Sequence, residues 1–221
     1  MTTRILLTMS TALLLRAAGG DSRQFVEVTH VEHVDFPSGG TLRLPNSTGV
    51  LTVEGWDRPD VEITTVRTIH DDAAEREKAT HDLESHHLTV ERRGDEVVIT
   101  ANAPWFNDLE YRVKAPSSAK LIANHNSGEV IVDGMAGDID VNLHAGDLLL
   151  HLPEDGRYDI NAKCAIGSIN SDYPGQEKRM GWLFGHRIEN GNSPGAVHKL
   201  NLKVKVGDIL ILKTRVPKLA S

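Results

Sequence analysis

The chain of 221 residues is predicted to be mainly β, a solenoid-like stack of short strands with one connecting surface helix. Three observations predict it. First, the stretch NHNSGEVIVDGMAGDIDVNLHAGDLLLHL, residues 124–152, carries Gly128, Gly137 and Gly146 at a nine-residue step, followed by the apolar pairs Val130/Val132, Ile139/Val141 and Leu148/Leu150. Period two punctuated by Gly reads as short half-buried strands joined by tight turns, and a fixed repeat points to stacked units. Second, Gly128, Gly146 and Gly167 share one phase at steps of 18 and 21 residues, while Gly137 and Gly156 share the other, as in a rung with a turn at each end. Third, aromatics make up only 5% of a chain that is 39% hydrophobic, which suits a core of Val, Ile and Leu on thin strands.

Residues 1–20, MTTRILLTMSTALLLRAAGG, have the layout of a secretory signal peptide: Arg4, an apolar run over 5–15, then Ala17, Ala18 and Gly19. Such a run spans about 16 Å as a helix, short of the ~30 Å hydrocarbon core, so no membrane span is expected. Arg16 interrupts the end of the run, and Gly20 stands where a lipoprotein signal would carry Cys, so no lipid anchor is expected. Residues 21–221 are therefore expected as a single extracytoplasmic domain: periplasmic, secreted or on the cell surface.

Residues 25–36, FVEVTHVEHVDF, alternate as a strand; Ser38, Gly39 and Gly40 form a turn, and 41–44 is a second strand. A first copy of the repeat covers 46–65, with Gly49 matching Gly128, Val53 matching Val132, Gly55 matching Gly134 and Trp56 matching Met135. Val61 matches Ile139 after a one-residue insertion, with Pro59 in the turn. Residues 71–87 are the helix candidate: Asp71 or Asp72 can cap it, and its thin stripe of Ala74, Ala79 and Leu83 marks a surface connection. A hairpin is expected from 88–90 and 97–101 around Arg93, Gly94 and Asp95, and a strand in WFNDLEYRVKAP after Pro104. The segment 173–196, rich in Gly, Pro, Asn and charge, is expected as a loop insertion. A last rung, LNLKVKVGDILILK, closes the chain. Ile131, Leu149 and Leu210 would face outward, and an apolar outward stripe is expected beneath another layer of the same chain.

The net charge of -7 argues against a nucleic-acid partner. Residues 121–172 hold two basic and nine acidic residues, 2 - 9 = -7; residues 173–221 hold nine and three, 9 - 3 = +6. The two segments would attract if stacked; otherwise each is a solvated face. Cys164, the single cysteine, alternates with Ile160 and Ala162 and reads as a small buried hydrophobe. None of the eleven histidines falls in zinc spacing; His125 and His144 could approach on neighbouring rungs near Asp147. The Gly-Asp pairs 137–138, 146–147 and 207–208 lack the paired glycines of calcium-binding rolls, so Gly supplies positive φ and Asp bonds the turn backbone.

GWDRP at 55–59, the polar segment 71–87, APSSAKL at 115–121 and the SGEV, AGDI, AGDL series together resemble the bacterial putative-adhesin family, a domain of unknown function related to the autotransporter-adhesin head domain. The resemblance covers most of residues 25–215. It implies a right-handed β-helix or solenoid-like envelope protein and brings no catalytic residue set. The basic segment from Glu177 to Asn192 departs from it.

The function expected is a non-catalytic binding or structural module of the bacterial cell envelope, an adhesin, with no catalytic, cofactor or metal residues. Its partner would be an envelope glycan or protein. Trp182 and Phe184, near Lys178, Arg179 and Arg187, are the candidate contacts; the alternative is that the aromatics cap the stack. Two other functions remain open. One is a membrane-proximal accessory in envelope-stress signalling. The other is a polysaccharide-active β-helix enzyme using a wall of Asp138, Asp140, Asn142 and His144.

Overall fold

Glycines set the corners of this fold. The computed structural model describes residues 25–70, 74, 77–78, 81, 88–100, 109–180, 185–190 and 195–214. The strands are β1 (Phe25–Asp35), β2 (Thr41–Trp56), β3 (Asp60–His70), β4 (Thr89–Arg93), β5 (Glu96–Thr100), β6 (Leu109–Pro116), β7 (Lys120–Asp133), β8 (Ile139–Ala145), β9 (Leu148–Pro153), β10 (Tyr158–Ile166), β11 (Ile169–Ser171), β12 (Gln176–Met180), β13 (Gly185–Glu189), β14 (His198–Val206) and β15 (Ile209–Thr214). They form one open, mainly β assembly whose long path runs β1-β3-β6-β2-β7-β8-β14-β10-β13-β12.

The repeat builds rungs. β2 and β7 each bend through a glycine, Gly49 and Gly128, that are register partners. In the other rungs a glycine separates two strands: Gly146 between β8 and β9, Gly167 between β10 and β11, Gly207 between β14 and β15. All five have φ between 98 and 135, a region that L side chains rarely adopt. They also stack backbone on backbone. A Cβ on Gly128 would meet the Gly49 carbonyl, one on Gly146 the Gly128 carbonyl, one on Gly207 the Gly146 carbonyl and one on Gly167 the Gly207 carbonyl, each closer than the 3.0 Å that real Cβ atoms respect.

Alternation then fills the interior from both halves of every rung. Leu51 and Val53, Val130 and Val132, Leu148 and Leu150, and Ile209 and Ile211 are at most 1% exposed, as the second and fourth positions after the corner glycine require. Each such side chain contributes roughly 1.5–3 kcal/mol on burial.

The rung order departs from the chain order. β14 lies between β8 and β10, and β15 between β9 and β11, all parallel. The last rung is therefore inserted into the stack and does not extend it. The free edge of β10 is occupied by antiparallel β13, leaving the edge of β8 for β14. The basic segment does stack on the acidic one, yet through backbone: Asp138 and Asp147 carboxylates accept the N–H groups of Lys199 and Asp208, both at 2.9 Å.

Other expectations are corrected. Val61 does not occupy a rung beside Ile139; β3 turns back after Pro59 and pairs antiparallel with β1, Val61 opposite Val34. The Trp56 indole N–H bonds Asp60 O at 2.9 Å and the Arg58 guanidinium covers its ring at 4.5 Å, closing that turn. Segment 173–196 contains a hairpin, β12 and β13, which adds two antiparallel strands to β10. The connecting helix expected over 71–87 lies almost wholly outside the described residues; the four described there, 74, 77, 78 and 81, are helical. The stripe of Ile131, Leu149 and Leu210 is contiguous across β7, β9 and β15. Along it Leu210 is 36% exposed, while Ile131 and Leu149 are half-buried. The expected signal peptide, residues 1–20, lies outside the described residues.

Candidate functional site

The outer face of the first half-rungs gathers the polar chemistry. Side chains of β7, β8, β14 and β10 that alternate away from the core fall into rows across the strands. One row reads Asn124, Asn142, Lys203, Lys163, Arg187, Lys178, each opposite the next. Strands stand about 4.8 Å apart, so its four cations span roughly 14 Å. The row beside it reads Asp140, Asn201, Asn161, Glu189, Gln176. A shallow groove of ≈ 470 Å³ crosses the face, lined by Asn124, Asn142, His144, Lys163, Lys203 and Lys205 among others.

The cations at the two ends of this face differ in their partners. Glu189 forms a close ion pair with Arg187 and lies 3.9 Å from the Lys178 ammonium. The Arg187 Nη2 reaches Asn161 Oδ1 at 3.5 Å, while its buried Nε has no hydrogen-bond partner. Lys163, Lys203 and Lys205 form no ion pair among the described residues. The amides link the rungs: Asn142 Nδ2 donates to Asn124 Oδ1 at 3.2 Å and Asp140 Oδ1 at 3.3 Å, Asn161 donates to Asn201 at 3.4 Å, and Asn126 donates to Asn46.

The acids of the Gly-Asp turns are staples between neighbouring rungs, not ligands within their own turns. Asp208 Oδ1 accepts the Ser168 N–H at 2.6 Å and its hydroxyl at 2.8 Å. These bonds, which favour the ionised form, hold the Asp208 carboxyl below its ordinary range. Asp138, Asp140, Asn142 and His144 do lie together on the outer side of β8, but Asp138 is occupied by the Lys199 N–H.

His125 and His144 do not meet. His125 is buried inside β7, opposite Leu143, and His144 is exposed on the outer face. The His125 Nε2–H donates to Gly49 O at 3.0 Å, because a carbonyl can only accept. Nδ1 therefore accepts the Ser47 hydroxyl at 2.7 Å. Burial pushes the imidazole pKa down. This buried Ser–His pair joins the first two corners. Cys164 is buried as expected; its thiol faces Gly207 O at 3.0 Å, and burial raises its pKa. No group of three or more His, Cys, Asp or Glu among the described residues could hold a metal ion.

Of the contacts expected from sequence, Lys178 and Arg187 are brought together as register partners, and Arg179 stands opposite His186. Trp182 and Phe184 lie outside the described residues. Sequence reasoning missed Lys163, Lys203 and Lys205. The outward phase of INAKCAI and LNLKVKV places each lysine on a surface, but 40 residues separate Lys163 from Lys203.

No family model and no curated protein matches the chain. Solved structures similar to it include a putative cell adhesion protein from Clostridium sporogenes, at 13% identity over 84% of this chain and 99% of that one, TM-score 0.47. A putative adhesin from Parabacteroides merdae is similar at 12% identity, over 65% of this chain and 62% of that one, TM-score 0.32. A putative lipid binding protein from Parabacteroides distasonis is similar at 11% identity, over 85% and 97%, TM-score 0.24.

Proposed function

We propose that the protein is an exported, non-catalytic binding module of the bacterial cell envelope, an adhesin whose stacked strands present the outer face of β8, β14 and β10 to an envelope polymer. The observation that carries this reading is the face itself, a shallow ladder of amides flanked by lysines without carboxylate partners. A ladder repeating at the strand spacing suits an extended partner better than a small substrate. Of the acids in the wall that an enzyme would use, Asp138 accepts the Lys199 N–H and Asp140 accepts the Asn142 side-chain amide. Trp182 and Phe184, in the same sequence segment as Lys178 and Arg187, are proposed as further contacts. Export rests on the layout of residues 1–20.

Expression of the full chain in a bacterial host, fractionation, and mass determination of the product test the reading. A product shortened by about twenty residues, as a leader of this class would leave, and co-sedimenting with isolated envelopes supports it. An uncleaved cytoplasmic product that stays in the supernatant contradicts it.

A further inference from the structure

We propose that the Lys163, Lys203 and Lys205 face binds a linear acidic polysaccharide laid across the strands, carboxylates on the ammonium groups and hydroxyls on Asn124 and Asn142. The inference rests on the envelope-binding reading and names its ligand class.

Four observations carry it. Lys163 and Lys203 are directly opposite on adjacent strands, an arrangement in which like charges repel. At two other cross-strand positions the cation is matched: Arg43 meets Glu96 at 2.7 Å and Lys114 meets Glu62 at 3.0 Å. An unneutralised pair, with Lys205 beside it, is therefore a local conflict that the fold does not require, and such conflicts mark functional sites. Second, the chain carries a net charge of -7, so a cationic cluster is not a by-product of general basicity. Third, the lysines adjoin the Asn124–Asn142 amide ladder, and side-chain amides donate to and accept from sugar hydroxyls. The strand step of about 4.8 Å is close to the length of one hexose unit, so a chain crossing the strands meets successive side chains in the row.

The fourth observation separates a polysaccharide from a membrane. Next to the lysines the corner exposes Ile166 and Val206, at 54% and 42%. Those two face each other across β10 and β14, but the following turn residues Glu129, Asp147 and Asp208 are exposed and acidic. An anionic bilayer that approached the lysines would meet this acidic rim, whereas a single polymer chain can lie on the face without touching it.

The test uses the purified full chain and three probes: polygalacturonate, neutral dextran, and phosphatidylglycerol vesicles. Binding to polygalacturonate alone is expected, weakening as salt rises from 0.1 to 0.5 M. The K163Q/K203Q/K205Q variant should lose about tenfold in affinity, at the strength of exposed ion pairs. Lys203→Glu alone, which can pair with Lys163, should lose affinity without loss of fold, and Lys120→Gln should bind as the parent. Equal binding to dextran, binding to the vesicles only, or an unchanged triple variant would overturn the proposal. Retention on envelopes by the triple variant would remove this site and keep the envelope reading. Polygalacturonate binding through the lysines without envelope retention would keep the site and remove that reading.

Discussion

A methyl group on Gly146 tests the corner column where its backbones are closest. The residue sits at φ 128, and its Cβ would run into the Gly128 carbonyl. Two costs follow. Holding an L residue in that region costs about 1–3 kcal/mol. The obstructing atom is a backbone oxygen that cannot swing aside, so the rungs must part, and overpacking of this kind costs about 1–3 kcal/mol more. Gly146→Ala should therefore lose roughly 2–6 kcal/mol, a large share of the ~5–15 kcal/mol typical of a folded domain. Gly39→Ala is the control: its φ is 69, but nothing lies within 4 Å of the added Cβ, so the cost is the left-handed conformation alone, about 1–2 kcal/mol. Urea denaturation followed by circular dichroism reads both, with an unchanged m-value showing that the native state stays compact. Equal losses of ~1 kcal/mol in the two variants would refute the reasoning, because the corners could not then be in backbone contact.

Two further outcomes follow from buried groups. His125 has its pKa lowered by burial, so the unfolded chain takes up a proton that the native chain refuses. Its contribution is intact above about pH 6.5 and is lost as pH falls below that value towards the native pKa. Ser47→Ala removes the hydroxyl donor on His125 Nδ1 and should cost about 1–3 kcal/mol at pH 8; a loss below the error of the denaturation curves would show that the bond is not formed. Cys164, whose thiol is raised by burial, should react with iodoacetamide only as fast as the protein opens, and faster in urea. Native labelling at the rate of a free thiol would contradict its placement in the core.

What the sequence disclosed and what it withheld have separate causes. Gly49, Gly128, Gly146, Gly167 and Gly207 are legible because each corner needs positive φ and no side chain, and the alternation after each is what one-sided burial demands. The order of the rungs is not legible: parallel strands separated by long connections carry no local mark of their neighbour, so nothing in LNLKVKV indicates that β14 lies beside β8. The hairpin of β12 and β13 read as a loop because QEKRM has no alternation, being added at the edge of the sheet. The cationic face was half seen. Lys178 and Arg187 stand in one short segment, but Lys163 and Lys203 join them only once β14 is inserted.

That insertion is also what the functional account depends on, and it can be measured directly. In a Cys164→Ala background, cysteines are placed in pairs at 142 and 203, at 163 and 203, and at 142 and 163. Register partners on adjacent strands are about 4.8 Å apart, within the range a disulfide can bridge. Under mild oxidation Asn142→Cys/Lys203→Cys and Lys163→Cys/Lys203→Cys should each form an intramolecular disulfide, and Asn142→Cys/Lys163→Cys should not, because β14 lies between them. Cross-linking of the 142–163 pair, with neither of the others, would place β10 beside β8, dissolve the lysine face and contradict the account.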